Sequence, residues 1–230
     1  MSNKITDYTM EDLADRLLLT VCNYESCAEA LGNFPHLRKG GLALYVQVAT
    51  PGSKNAEGMY TSWLTVTNDR LSAWGISKKD LFEIAASSSE KLNPGQFVKL
   101  EEFVDLSDGL FVGNELPSAY IITNKFNYNG AASIFYSEGI LRDLCEEMDT
   151  DKLTLFPYDG NLFFVLSNDS YDFYTRTEFQ KMIYESLDEN DRLFPQWLEY
   201  NAEIGNIADL TDNTTFFPNV TDEIYYKNHR

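Results

Sequence analysis

LTVTNDRLSAWGISKKDLFEIA, residues 64–85, carries the chain out of a strand and into helix twice within a short span. Leu64 to Thr67 read as the end of a strand, and the short polar side chains of Asn68 and Asp69 follow it where a helix cap is needed. DRLSAWG then gives about one and a half helical turns, with Leu71 and Trp74 three apart on one face. Gly75 supplies the positive φ that ends the turn. Ser77 caps the next helix, Asp80 adds negative charge to its first turn, and Leu81, Ile84 and Ala85 form its buried side. Trp74 is expected to anchor this segment against the strands before it. Strand followed at once by helix, without a βαβ rhythm, argues for an α+β fold.

Outward from that stretch the same pieces recur. LALYVQVAT (42–50) and YTSWLTVT (60–67) read as a β-hairpin around the turn-rich PGSKNAEG. Toward the N-terminus, residues 9–31 place Met10, Leu13, Leu17, Val21, Tyr24, Ala28 and Leu31 at three- and four-residue steps. That predicts one amphipathic helix, capped by Thr9 and stopped by Gly32-Asn33. FPHLRKGG then reads as a loop leading into the first strand. Toward the C-terminus, AYIITN (119–124) and GAASIFY (130–136) are expected to pair as strands, and 138–148 to form a helix with Ile140, Leu141, Leu144 and Met148 inward. LTLFP and LFFVL pair around Asp159-Gly160, a turn signal. A further helix is expected over 175–187.

The expected fold is therefore α+β, mostly antiparallel hairpins with helices on one face. It divides into a domain over 1–190 and an acidic, aromatic, irregular segment over 191–230, packed on that domain or extending from it.

At 230 residues and 43% hydrophobic, the chain is long enough and apolar enough to bury a core. Three cysteines argue against a disulfide framework, and the Cys22/Cys27 spacing has no matching Cys or His pair for a zinc site. No metal, cofactor or catalytic residue is expected. Cys145 reads as core material. Neither an apolar leader nor a membrane-length apolar run is visible, so a cytoplasmic location is expected.

Charge is the strongest bulk signal. The formal net charge is −18, and it is unevenly spread: residues 1–136 hold 16 acidic and 11 basic side chains, residues 137–230 hold 20 and 7. Direct binding to nucleic acid or to an anionic membrane is disfavoured. No glycine-rich phosphate loop is present, and paired carboxylates such as Glu146/Glu147 carry no geometry by themselves.

NYESCAEALGNFPHLRKGGLALYVQV, TNDRLSAWGISKKDLFEIA, AYIITNKFNYNGAASIFYSEGILRDL and LTLFPYDGNLFFVL together resemble the bacterial family called domain of unknown function 5688, common in gut clostridia. A more distant similarity links them to a second uncharacterised family, number 1444. The resemblance implies no assigned catalytic residue. Where the family continues from its strand proline with Ser-Ser-x-His-Glu, this chain has Tyr158-Asp159-Gly160-Asn161-Leu162 after Pro157. Loss of those polar groups lowers the expectation of an enzyme.

The leading expectation is a non-enzymatic binding protein whose acidic, aromatic C-terminal surface engages a basic, nucleic-acid-binding protein, acting as a nucleic-acid mimic that inhibits a nuclease or defence complex. Asp188, Glu189, Asp191, Trp197, Glu199, Glu203, Asp209 and Asp212 are the candidate contacts. The alternatives are an enzyme with a small-molecule site near His36, Asp69 and Trp74, or a structural protein with no discrete site.

Overall fold

The computed structural model describes residues 8–103, 119–167, 178, 180, 181, 193, 197–210, 214–218 and 220. In chain order the elements are α1 (Met10–Leu13), β1 (Leu17–Asn23), α2 (Ala28–Leu31), β2 (His36–Lys39), β3 (Leu42–Ala49), β4 (Trp63–Thr65), α3 (Asn68–Trp74) and α4 (Lys78–Leu92). These are followed by β5 (Gly95–Lys99), α5 (Leu100–Phe103), β6 (Ala119–Asn124), a 3₁₀ helix (Gly130–Phe135), α6 (Ile140–Glu147), β7 (Lys152–Asp159) and β8 (Leu162–Ser167). The last described strands are β9 (Leu198–Asn201), β10 (Asn206–Asp209) and β11 (Thr215–Phe216). The fold is α+β.

Two antiparallel sheets organise it. In the smaller, β3 pairs with β1 along one edge, while β2 and then β4 share its other edge. The larger runs in the order β11-β10-β9-β7-β8-β6-β5. The principal apolar cluster joins Leu17, Leu19, Leu44 and Val46 of the smaller sheet to Ile122, Leu155, Phe163 and Val165 of the larger. It also takes in Leu81 and Phe82 of α4, Phe135 of the 3₁₀ helix and Leu141 and Leu144 of α6. These helices and the smaller sheet therefore share one face of the larger sheet. Its opposite face carries a second cluster around Ile121, Phe156, Phe164 and Leu166. Alternate residues of β6, β7 and β8 thus enter different clusters, and both faces are buried.

The segment over 64–85 forms as its residues dictate, with one shift. The cap of α3 is Thr67, whose side chain accepts from Arg70 N, rather than Asn68 or Asp69. Gly75 follows in the left-handed region at φ 67°. Ser77 and Asp80 make a reciprocal capping box at the start of α4, and their hydrogen bonds hold the Asp80 carboxyl below its ordinary pKa. Trp74 is partly buried against the main cluster, and its Nε1 donates to the Tyr8 carbonyl at 3.3 Å.

Four expectations are corrected. Residues 9–31 are not one helix: Leu17–Asn23 is a strand, buried over its first five residues. A run apolar on both faces satisfies a helical stripe and a buried strand alike, and the contacts of β3 and α4 decide for the strand. Helix α4 lies against the free edge of β1, where Ser88 Oγ and Ser89 Oγ accept from Leu17 N and Leu19 N at 3.1 and 2.7 Å. Serines on a helix thus satisfy amides that would otherwise need a neighbouring strand.

FPHLRKGG is not a loop, since His36–Lys39 pairs with β3. Residues 130–135 form a 3₁₀ helix instead of a strand, because Asn127 and Asn129 at φ 52° and 51° turn the chain back before Gly130. The C-terminal segment is not irregular where it is described, because β9, β10 and β11 extend the larger sheet. Of the helix expected over 175–187, Glu178, Gln180 and Lys181 are helical, and its other residues lie outside the described ones.

Among the described residues, no helix is long and apolar enough to cross a membrane. No group of three or more His, Cys, Asp or Glu among them is placed to hold a metal ion.

Candidate protein-binding groove

Helix α6 exposes one side and buries the other. Ile140, Leu141, Leu144 and Cys145 face the core and Arg142 and Glu146, four apart, lie on the outer face, while the exposed Glu138 and Asp149 flank the two ends of the helix. Across from them lies the β9–β10 turn. Asn201 shapes that turn, its Oδ1 accepting from Glu203 N at 2.9 Å and its carbonyl from Gly205 N at 2.8 Å. Ala202 N donates to the Asp151 carbonyl at 2.9 Å, which pins the turn beside the chain leaving α6.

Between these walls run two adjoining cavities of about 380 and 550 Å³, sharing Arg142, Ala202 and Glu203. Glu138, Glu146, Asp149, Asp151 and Glu203 line them, with Arg142 the one basic residue among the described lining. All five carboxylate residues are exposed, and none forms an ion pair with another described residue. Ile204, 61% exposed at the tip of the turn, adds an apolar contact.

Arg142 also lies near enough to the buried Tyr200 for its charge to act on that hydroxyl. Burial raises the pKa of that hydroxyl, and the guanidinium works against the rise. Cys145 lines the second cavity, but burial, and then the charge of Asp151, push its thiol up to about 11. It stays protonated near neutral pH and is no ready nucleophile. The groove therefore offers carboxylates to a cation, and Cys145 is not activated there.

Of the candidate contacts named from sequence, Glu203 lines this groove, while Trp197, Glu199 and Asp209, the others among the described residues, do not. Residues 197 and 199 sit on the opposite face of β9 from Leu198 and Tyr200. Trp197 packs on Phe156 at 4.7 Å between ring centroids, with its Nε1 donating to Gln180 Oε1 at 3.0 Å. Glu199 accepts from Lys152 Nζ at 3.2 Å. Asp209 is buried, with its carboxylate beside Gly40 and Phe216, and so is not presented to a partner. Asp188, Glu189, Asp191 and Asp212 lie outside the described residues. Reading the segment as irregular hid the alternation of strands, which sends every second side chain inward. Conversely, Glu138 and Glu146 lie among the polar positions of the helix predicted over 138–148, and Asp149 falls just beyond its end.

The basic spot of FPHLRKGG is divided by the same alternation. Arg38 points out, its guanidinium 4.1 Å from the Tyr24 ring and 3.8 Å from Glu25. Lys39 points in, 1% exposed, with Nζ donating to the Phe217 carbonyl at 2.9 Å. His36 Nδ1 lies 3.0 Å from the Phe34 carbonyl and its ring neighbours Tyr24, whereas Trp74 neighbours Tyr8 and Arg70. Among the described residues His36 and Trp74 share no partner.

An α+β protein with two antiparallel sheets and an acidic groove beside α6 is thus the class defined by this geometry. Residues 2–157 match the model of a family of unknown function, DUF5688, and the chain belongs to that family. No curated protein and no solved structure matches it. The family match contains α6 and the acids on it, while the β9–β10 turn lies beyond its end.

Proposed function

We propose that this protein is a non-enzymatic, cytoplasmic binding protein whose groove beside α6 receives a lysine- or arginine-rich segment of a protein partner. The observation that supports this most is the set of five exposed carboxylates, none ion-paired with another described residue, lining adjoining cavities beside Arg142. Such a field steers a cationic segment into the groove, and each pair it forms adds a little affinity. Nucleic-acid-binding proteins offer segments of this kind, so the partner class is a basic protein that the groove occupies in competition with nucleic acid. The −18 net charge favours such an encounter at low ionic strength.

The test uses an arginine- and lysine-rich peptide panel titrated into the full chain at low and raised salt, with amide NMR shifts to locate binding. Binding should weaken as salt rises and shift amides of α6 and of residues 202–205. Replacing Glu138, Glu146 and Glu203 together by Gln should weaken it roughly tenfold, as expected for three exposed pairs of about 0.5 kcal/mol each. Unchanged affinity in the triple variant, or shifts confined to other surfaces, would rule the groove out.

A further inference from the structure

The two cavities of the groove differ in what they offer a ligand. The first, at the start of α6, is mixed: Ile204, Phe217 and Pro218, none of them buried, line it together with Ser137 and Glu138. The second, at the end of α6, has Ala202 and Cys145 as the only apolar members of its described lining, against Glu146, Asp149 and Asp151. Arg142 and Glu203 belong to both, where the cavities meet. Ile204 is the most exposed large hydrophobic side chain among the described residues, and the turn that carries it is tied down. Asn201 Oδ1 accepts from Ile204 N at 3.3 Å as well as from Glu203 N at 2.9 Å, and Gly205 closes the turn at φ 65°. The carbonyl end of α6, the negative pole of its dipole, adds to the carboxylates at the second cavity. Apolar contact is therefore available at one end of the groove, and negative charge is densest at the other.

We propose that the groove receives an extended segment with two anchors, a bulky aliphatic side chain against Ile204, Phe217 and Pro218 and a lysine or arginine among Glu146, Asp149 and Asp151. This rests on the groove reading above and adds to it a pattern in the partner's sequence. Helix α6 has eight residues and is about 12 Å long, so the two anchors lie on the order of 10 Å apart. In a polyproline II segment, with three residues per turn, residues three positions apart fall on one side and about 9 Å from each other. The aliphatic residue and the cation are therefore three positions apart. Arg142, common to both cavities, places a positive charge between the anchors, so the two intervening residues are not basic.

Three blocked peptides of equal length are titrated into the full chain by calorimetry at low salt, with amide NMR shifts to place them. The first carries Leu and, three positions on, an Arg-Lys pair. The second has Ser for that Leu, and the third has the Arg-Lys pair directly after the Leu. The first should bind roughly tenfold more tightly than either of the others, the gain from covering one aliphatic side chain. It should also shift the amides of residues 204, 205 and 217, which the second leaves in place. In Ile204→Ser the advantage of the first peptide over the second should largely vanish. Equal affinities for the three peptides would overturn the two-anchor pattern while leaving the groove as an electrostatic site. Absence of binding by all three would overturn the groove itself, and the pattern with it. Ile204 is exposed, so its replacement leaves the core intact, and the peptide series on the natural chain decides without it.

Discussion

Gly130 and Gly75 show two different reasons for a glycine. A Cβ on Gly130 would fall 2.3 Å from both the Asn161 carbonyl oxygen and Thr123 Oγ1, and 2.9 Å from Asn124 N. Two of those atoms are backbone held in β6 and in the β7–β8 turn, so they cannot move aside cheaply. Gly75 has nothing within 4 Å of its Cβ position, and only its φ of +67° favours glycine. Gly130→Ala should therefore cost about 3 kcal/mol or more, as overpacking does. Gly75→Ala should cost about 1 kcal/mol, the penalty of the left-handed region alone. Urea unfolding midpoints of the two variants check the order, and equal midpoints would contradict it. At this scale the sequence was readable where the cause is local. Gly75 and the Ser77 cap follow from their immediate neighbours, whereas Gly130 answers to Thr123 and Asn124 of β6 and to Asn161, 31 positions on, an approach that no local pattern reveals.

Among the elements, β1 and α4 depend on each other in a way that periodicity does not encode. The hairpin β7–β8 and helix α6 were legible because one face or one turn specifies them, as Asp159 does by accepting from Asn161 N and Leu162 N at 2.8 and 3.2 Å. Strand β1 was not, because a run buried on both sides lacks the alternation that marks a strand. Its edge is completed by Ser89, which accepts from Leu19 N and donates to the Ala85 carbonyl at 2.7 Å in each case. Replacing Ser89 by Ala removes the acceptor and leaves a buried amide unsatisfied, a loss of about 2 kcal/mol. Amide hydrogen exchange supplies the specific readout. The Leu19 amide should exchange faster in Ser89→Ala, while amides of β3 that bond within the sheet slow or speed only with global stability. Unaltered protection at Leu19 would show that the strand edge is closed by something other than the serine.

At the scale of the whole molecule, what separates expectation from structure is the role of the C-terminal segment. Composition shows its acids and aromatics but not that β9 pairs with β7, placing Leu198 and Tyr200 in the cluster shared by both sheets. Ile207 and Phe216 join them, and Lys39 reaches across from β2 to the Phe217 carbonyl. The acidic character of the candidate site was readable, and so was Glu203. Its position was not, because the groove exists only where this late turn meets α6. Four large side chains buried at about 2 kcal/mol each amount to about 8 kcal/mol, which is comparable with the entire stability of an ordinary domain. A chain ending at residue 190 should therefore lose cooperative thermal unfolding and bind a hydrophobic dye, rather than persist as a smaller folded domain. Ile207→Ala gives the graded version, since it removes one fully buried side chain and should lower stability by about 3 kcal/mol. Circular dichroism melting of both variants makes the test. A truncated chain melting within a few degrees of the full one would show that the first 190 residues stand alone. A fall in both would show that the segment bearing Glu203 is built into the core, so the groove is as rigid as the sheets that form it.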